Sequence, residues 1–273
     1  MSFHLNAVQT PPSPYLQDHD LAFCFWYAAV IKNHIKQIRP LADYLVADAY
    51  FSKKGFVDEI YDTGLHVVCK LRDDADLLYL TQETKSGKRG DPAKYSRKVD
   101  PKNLNSEYFT EIENNQGIKV ESAVIYSKSL QRNILLVVEE FVIKGKTTYR
   151  LLFSTDLNQP PVDIIDIYHT RFQIEFGFRD AKQYAGLENS QARSVNKLNF
   201  QFNAALTTVN IAKVIQLKDK NRRELPFSMR DSKTLFCNAM MLSRFFSKFG
   251  IQPNNHKNRT YVKELLNFGI RAA

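Results

Sequence analysis

The stretch "DYLVADAYFSKKGFVDEIYDTGLHVVCKLR", residues 43–72, constrains the fold most. "YLVADAYF" (44–51) is a short apolar run, the pattern of a buried strand, and it runs into Asp48. "KKGFVDEIYDTG" (53–64) follows as a short helix closed by Gly64. "LHVVCKLR" (65–72) is a second buried strand. Upstream, "DHDLAFCFWYAAVIKNHIKQIR" (18–39) reads as a helix with Asp18 or Asp20 as N-cap and Pro40 as its stop. "FHLNAVQTPP" (3–12) reads as a short strand ended by two prolines. Strand, helix, strand, helix, strand with short links is the α/β pattern of a mostly parallel sheet.

The texture then changes. Residues 81–107 are polar and rich in Lys, Gly and Asp, the composition of an exposed excursion. β-type runs follow at 117–127, 132–145 and 147–155, with Lys144-Gly145-Lys146 as a hairpin turn between the last two. "DLNQPP" (156–161) leads to a helix with Pro161 at its first position, running to about Gln183 with Gly186 beyond its end. Two further long helices are expected from 196 and from 229. The expected division is an α/β core (1–72), a β-rich insertion (73–160), a return to the core through one helix (161–195) and a helical C-terminal region (196–273).

Charge separates the chain further. The net charge is +9, yet residues 164–273 hold 18 Lys/Arg against 8 Asp/Glu, while residues 1–163 are nearly balanced. Such asymmetry fits a polyanion partner as well as it fits a solubilising surface. No apolar run reaches the roughly 18 residues of a membrane span, and the N-terminus has no signal-peptide pattern. Cys24, Cys69 and Cys237 form no CxxC pair and read as buried small hydrophobes in a reducing cytoplasm. The six His show no zinc spacing, and no P-loop supports nucleotide use.

The helix from 161 carries the chemistry. At 100° per residue, Tyr168, Arg171, Glu175 and Lys182 fall within roughly one sixth of its circumference, along about 21 Å of axis. Read alone, this stripe is a solvated salt-bridge face, since Arg171 and Glu175 form an ordinary i, i+4 pair. Asp48 changes the weighing, because it follows Leu45, Val46 and Ala47 at a strand end, where α/β sheets place their sites. A turn or N-cap Asp is the plain alternative. An Asp there and a Glu on a later helix can jointly hold divalent metals that activate water or a 3′-OH against a phosphodiester.

The spacing Y-x2-R-x3-E-x6-K, met by Tyr168, Arg171, Glu175 and Lys182, resembles the signature of bacterial insertion-sequence DDE transposases. "ADAYFSKKGF" (47–56) resembles their second acidic motif. The resemblance covers roughly residues 3–215. It implies an RNase H-like mixed sheet with helices, a β-rich insertion before the Glu helix, and catalysis in the bacterial cytoplasm at the nucleoid. It makes Asp48 and Glu175 ligands of two Mg²⁺ (or Mn²⁺), with carboxylates within roughly 8 Å. Tyr168, Arg171 and Lys182 would position DNA, helped by Lys53, Lys54 and Arg179. The implied partner is double-stranded DNA at transposon ends, bound by a homodimer.

One departure follows. The family needs an earlier Asp on the first strand, and Asp18, Asp20 and Asp43 do not follow apolar strands. "FHLNAVQTPP" resembles the third strand of that fold, so the first two strands and an N-terminal DNA-binding region are expected upstream of this sequence. The expectation is a truncated catalytic domain, inactive alone. The rivals are a non-catalytic DNA-binding remnant that inhibits a full-length transposase, and a metal-dependent nuclease of unrelated fold. Some relatives hold a flipped base with an insertion aromatic, for which Tyr95, Tyr108 and Phe109 are the candidates. Trp26 reads as core.

Overall fold

The computed structural model describes residues 2–11, 23–81, 94–112 and 118–270. The Asp18 and Asp20 caps, and residues 82–93 of the polar excursion, lie outside them. The chain forms two compact units, one of residues 11–171 and one combining residues 1–10 with 172–273.

In the first unit, helices α1 (Phe23–Asn33) and α2 (Ile35–Ile38) precede strand β1 (Tyr44–Ala47), a 3-10 turn (Ala49–Phe51), helix α3 (Lys54–Tyr61) and strand β2 (His66–Lys70). Gly64 closes the turn after α3 at φ +87°, where a side chain would be strained. Strands β3 (Leu77–Leu80), β4 (Tyr95–Lys98), β5 (Thr110–Ile112), β6 (Lys119–Ser127), β7 (Arg132–Ile143) and β8 (Lys146–Ser154) follow, then helix α4 (Pro161–Thr170). All eight strands share one sheet in the order β1-β2-β8-β7-β6-β3-β4, with β5 beside β6.

Among the described residues, only the β1–β2 pair is parallel. The expectation of a mostly parallel sheet is therefore corrected: β8 returns antiparallel against β2, and β7 and β6 extend the sheet as an antiparallel meander. Tight connections produce this result. The β7–β8 hairpin turns at Lys144 and Gly145, both at positive φ, which is the mirror-image turn that matches strand twist. The expected β-rich insertion is thus continuous with the core sheet.

The centre of the sheet is covered on both faces. Ile134, Leu136 and Val138 of β7 join Val67, Cys69, Leu151 and Phe153 beneath α1 and α3, with Phe56, Val57 and Ile60. Leu135 and Val137 face the other way, with Val68, Leu152 and the α4 residues Ile164, Ile165 and Tyr168. Alternating side chains that are buried on both sides explain why "NILLVV" reads as an unbroken apolar run. Trp26 is half-buried against Tyr27 rather than in the core. Tyr108 and Phe109 pack on Tyr79, and Tyr95 stacks on Tyr126 at 4.0 Å, so these rings are engaged within the sheet unit.

The second unit is helical: α5 (Phe172–Tyr184), α6 (Val195–Lys218), α7 (Met229–Phe249) and α8 (His256–Leu266). Ala181, Leu187, Ala205, Leu206, Val209 and Met229 form its small core. Gly250, at φ +65°, ends α7 in a left-handed cap. Helix α8 was not expected, because its sequence is too polar to show an apolar stripe; Asn255 starts it by accepting the Lys257 N–H. Residues 3–10 are extended but form no strand, contrary to expectation. Their backbone bonds to side chains of α6 instead of to a sheet edge.

Candidate active site

Strand β1 delivers Asp48 to the C-terminal end of the parallel pair. The residue is exposed and extended (φ −86°, ψ 176°), and its Oδ1 accepts the Tyr50 N–H at 2.9 Å, capping the 3-10 turn. The structural role weighed in the sequence is therefore real: one carboxylate oxygen is oriented by the backbone. Ala47 pairs with Cys69, and the Cys69 thiol donates to the Asp48 carbonyl at 2.9 Å. Burial, reinforced by the Asp48 charge, pushes that thiol's pKa far up and keeps it neutral. Cys69 and Cys24 are the buried hydrophobes expected, whereas Cys237 is exposed.

Lys53 and Lys54 follow within one turn, both exposed. The Lys53 ammonium lies 4.1 Å from the centre of the Tyr50 ring. Lys54 pairs with Asp58 at 2.6 Å, and Asp58 also receives Arg132 at 2.5 Å. Burial raises the Asp58 pKa, but the hydrogen bonds from Lys54 and Arg132 outweigh it and hold the carboxyl below its usual range.

Tyr168 is only 7% exposed and sits in the core beneath β2 and β7. It is not on an open stripe. The long helix expected through residues 161–183 is two elements, α4 and α5, joined at Arg171, whose N–H bonds one residue short, to the Tyr168 carbonyl at 3.1 Å. The compact units also divide there. Burial raises the Tyr168 phenol pKa, and the Arg171 charge opposes it; the Arg171 guanidinium lies 6.0 Å from the ring centre.

A neighbouring network is missed in the sequence reading. Arg150 on β8 bonds both Glu139 on β7, at 3.3 Å, and His169 on α4, at 3.1 Å. Glu139 is 2% exposed, so this is a buried acid held by one cation beside Tyr168. Its only trace in the sequence is "EE" (139–140) within an apolar strand. A separate cleft of about 440 Å³ opens at the other end of the parallel pair, lined by Tyr61, His66, Arg132, Asn133 and Asp156 among others.

In the helical unit, Glu175 stands exposed in the first turn of α5. Arg179 and Lys182 lie four and seven residues on, within about 60° of it and about 10 Å along the axis. Arg179 pairs with the buried Asp180 at 3.2 Å and covers Phe176. Lys182 pairs with Glu188 at 2.6 Å. An exposed acid flanked by cations on one helix face is suited to a metal next to phosphates.

A sequence profile of the family described as "Transposase DDE domain" matches residues 28–211. That span includes Asp48, Tyr168, Arg171, Glu175 and Lys182. The chain belongs to the DDE transposase family. No curated protein matches it. The family assignment and the mixed α/β sheet agree with the expected RNase H-like class. Among the described residues, no helix is long and apolar enough to cross a membrane. Members of this family generally work with divalent metal. Asp48 and Glu175 are hard, exposed oxygen donors that fit such an ion chemically. Among the described residues, however, no group of three or more His, Cys, Asp or Glu side chains converges to hold one.

Proposed function

We propose that this chain serves DNA transposition by metal-dependent phosphodiester hydrolysis at transposon ends, followed by attack of the freed 3′-OH on target DNA. The observation that carries this reading is the family match over a span that holds the full Y-x2-R-x3-E-x6-K spacing and a strand-end Asp48. Asp48 and Glu175 would serve as the metal ligands. Bound Mg²⁺ or Mn²⁺ would lower the pKa of the attacking water and stabilise the leaving oxygen.

The chain's own residues bind and orient the DNA. Arg171, Arg179, Lys182, Lys53 and Lys54 take phosphates. Lys54 and Lys182 exchange exposed ion pairs for those phosphates, and such pairs are worth only about 0–1 kcal/mol. Tyr168 acts from inside the core by setting the direction of Arg171. The partner is double-stranded DNA, bound by a homodimer at the nucleoid.

A two-metal site needs more carboxylate than two side chains supply. On that ground a further acid would complete the active enzyme, and residues 1–273 alone would bind DNA without cleaving it at a useful rate. A second reading is a non-catalytic DNA-binding remnant that inhibits a full-length transposase. Fusion behind a segment that supplies a strand with an Asp separates the two. Under the enzyme reading, Mg²⁺-dependent cleavage appears, and Glu175→Gln removes it while leaving DNA binding nearly intact. Continued inactivity supports the remnant. Robust cleavage by residues 1–273 alone, abolished by Asp48→Asn, overturns the missing-carboxylate argument.

A further inference from the structure

Main-chain groups of the N-terminal segment bond to side chains of α6. Asn203 accepts the Ala7 N–H and donates to the Ala7 carbonyl, both at 2.9 Å. Asn210 does the same for His4, accepting its N–H at 2.9 Å and donating to its carbonyl at 2.7 Å. Lys213 continues the series by donating to the Ser2 carbonyl at 2.6 Å. The segment therefore runs antiparallel to the helix. A side-chain bond also joins His4 Nε2 to Asn203 Oδ1 at 3.2 Å.

The spacing explains the fit. Asn203 and Asn210 are seven residues apart, so they share one helix face and stand about 10.5 Å apart along the axis. Three residues of extended chain, His4 to Ala7, span about 9–11 Å. Each carboxamide presents one acceptor and one donor, as a neighbouring strand's peptide group would. Helix α6 thus imitates a sheet edge. Lys213 is anchored for the purpose: it is 7% exposed and lies 5.9 Å and 5.5 Å from the ring centres of Phe3 and Phe227.

We propose that this ladder is a receptor for extended polypeptide backbone, and that two copies of the chain exchange their N-terminal segments across it, residues 2–7 of one lying on α6 of the other. Main-chain recognition makes the intramolecular and intermolecular contacts identical, which is the condition for exchange at low cost. The segment belongs to the helical unit, whereas the residues that follow it belong to the sheet unit, so covalent connection to the rest of its own unit runs through the 161 intervening residues 11–171.

A complementation experiment without DNA tests this. One copy of residues 1–273 carries H4P and A7P, which remove both donated N–H groups and leave the ladder intact. The other carries N203L and N210L, which remove the ladder and leave the segment. Circular dichroism verifies helical content in both. Native mass spectrometry should find each alone monomeric and the equimolar mixture a one-to-one dimer. A synthetic peptide of residues 1–10 should bind the H4P/A7P copy and dissolve that dimer. The same peptide N-methylated at His4 and Ala7 should bind at least about tenfold more weakly, having lost two hydrogen bonds. A mixture that stays monomeric where the peptide saturates its site overturns exchange. A dimer that survives excess peptide assigns association to another surface and does the same. Equal binding of both peptides overturns backbone recognition. If the double substitution unfolds α6, N210D replaces it, keeping the acceptor and losing the donor, and should weaken the mixed dimer severalfold.

Discussion

The two compact units handle apolar surface in opposite ways. The sheet unit buries a continuous core on both faces of β2, β7 and β8, with Phe153, Leu136, Val67 and Val137 fully inaccessible. The helical unit buries only a small cluster, and α7 leaves Phe236, Met241 and Phe249 more than 60% exposed. The proposed ligands divide along the same line. Asp48 sits at the end of a strand in the dense unit, while Glu175 projects from a surface helix in the sparse, basic one. Loss of packing should therefore be felt in the first unit, and loss of charge in the second.

The largest test of that contrast is a pair of truncations. Phe153→Ala should cost about 3–5 kcal/mol through a lost ring and a cavity, whereas Phe236→Ala should stay within about 0.5 kcal/mol. Urea unfolding of both variants measures the difference, and equal losses would break the comparison.

Buried and exposed charges give a smaller contrast. Glu139→Gln weakens the bonds that Arg150 makes between β7 and α4, with an expected loss of about 1–3 kcal/mol. Glu188→Gln removes only the exposed partner of Lys182 and should cost less than about 1 kcal/mol. Melting temperatures rank the two.

Acid should act through the sheet unit. The Asp58 carboxyl is held below its usual value of 3.8, so its ion pairs contribute stability above that pH and lose it as pH falls further. Arg132→Met removes part of this, and the variant should lose less stability than the parent between pH 5 and about pH 3. An identical pH profile would show that the Lys54–Asp58–Arg132 cluster is not responsible.

The smallest effect belongs to single cations. Lys182→Gln should lower the slope of log affinity for DNA against log salt by about one, with no change in thermal stability. A lowered melting temperature would mean that Lys182 holds the helical unit together rather than serving DNA.

Local patterns were enough to read several features from sequence. Period and turn chemistry gave the 144–145 hairpin, α3 with its Gly64 stop, and the strand that ends at Asp48, because each depends on neighbours within about ten residues. The signature Tyr168, Arg171, Glu175 and Lys182 was legible for the same reason. Tertiary structure decided what those residues touch. Helical periodicity treats 161–183 as one rod and cannot see that the ring of Tyr168 is drawn under the sheet, or that the units part at Arg171. Strand direction was also decided in three dimensions, since β8 chose the edge of β2 from a position eighty residues away. The first ten residues show the limit most clearly. Their alternation asks only that the backbone be paired, and whether a strand or the carboxamides of Asn203 and Asn210 supplies the partner depends on a helix two hundred residues distant.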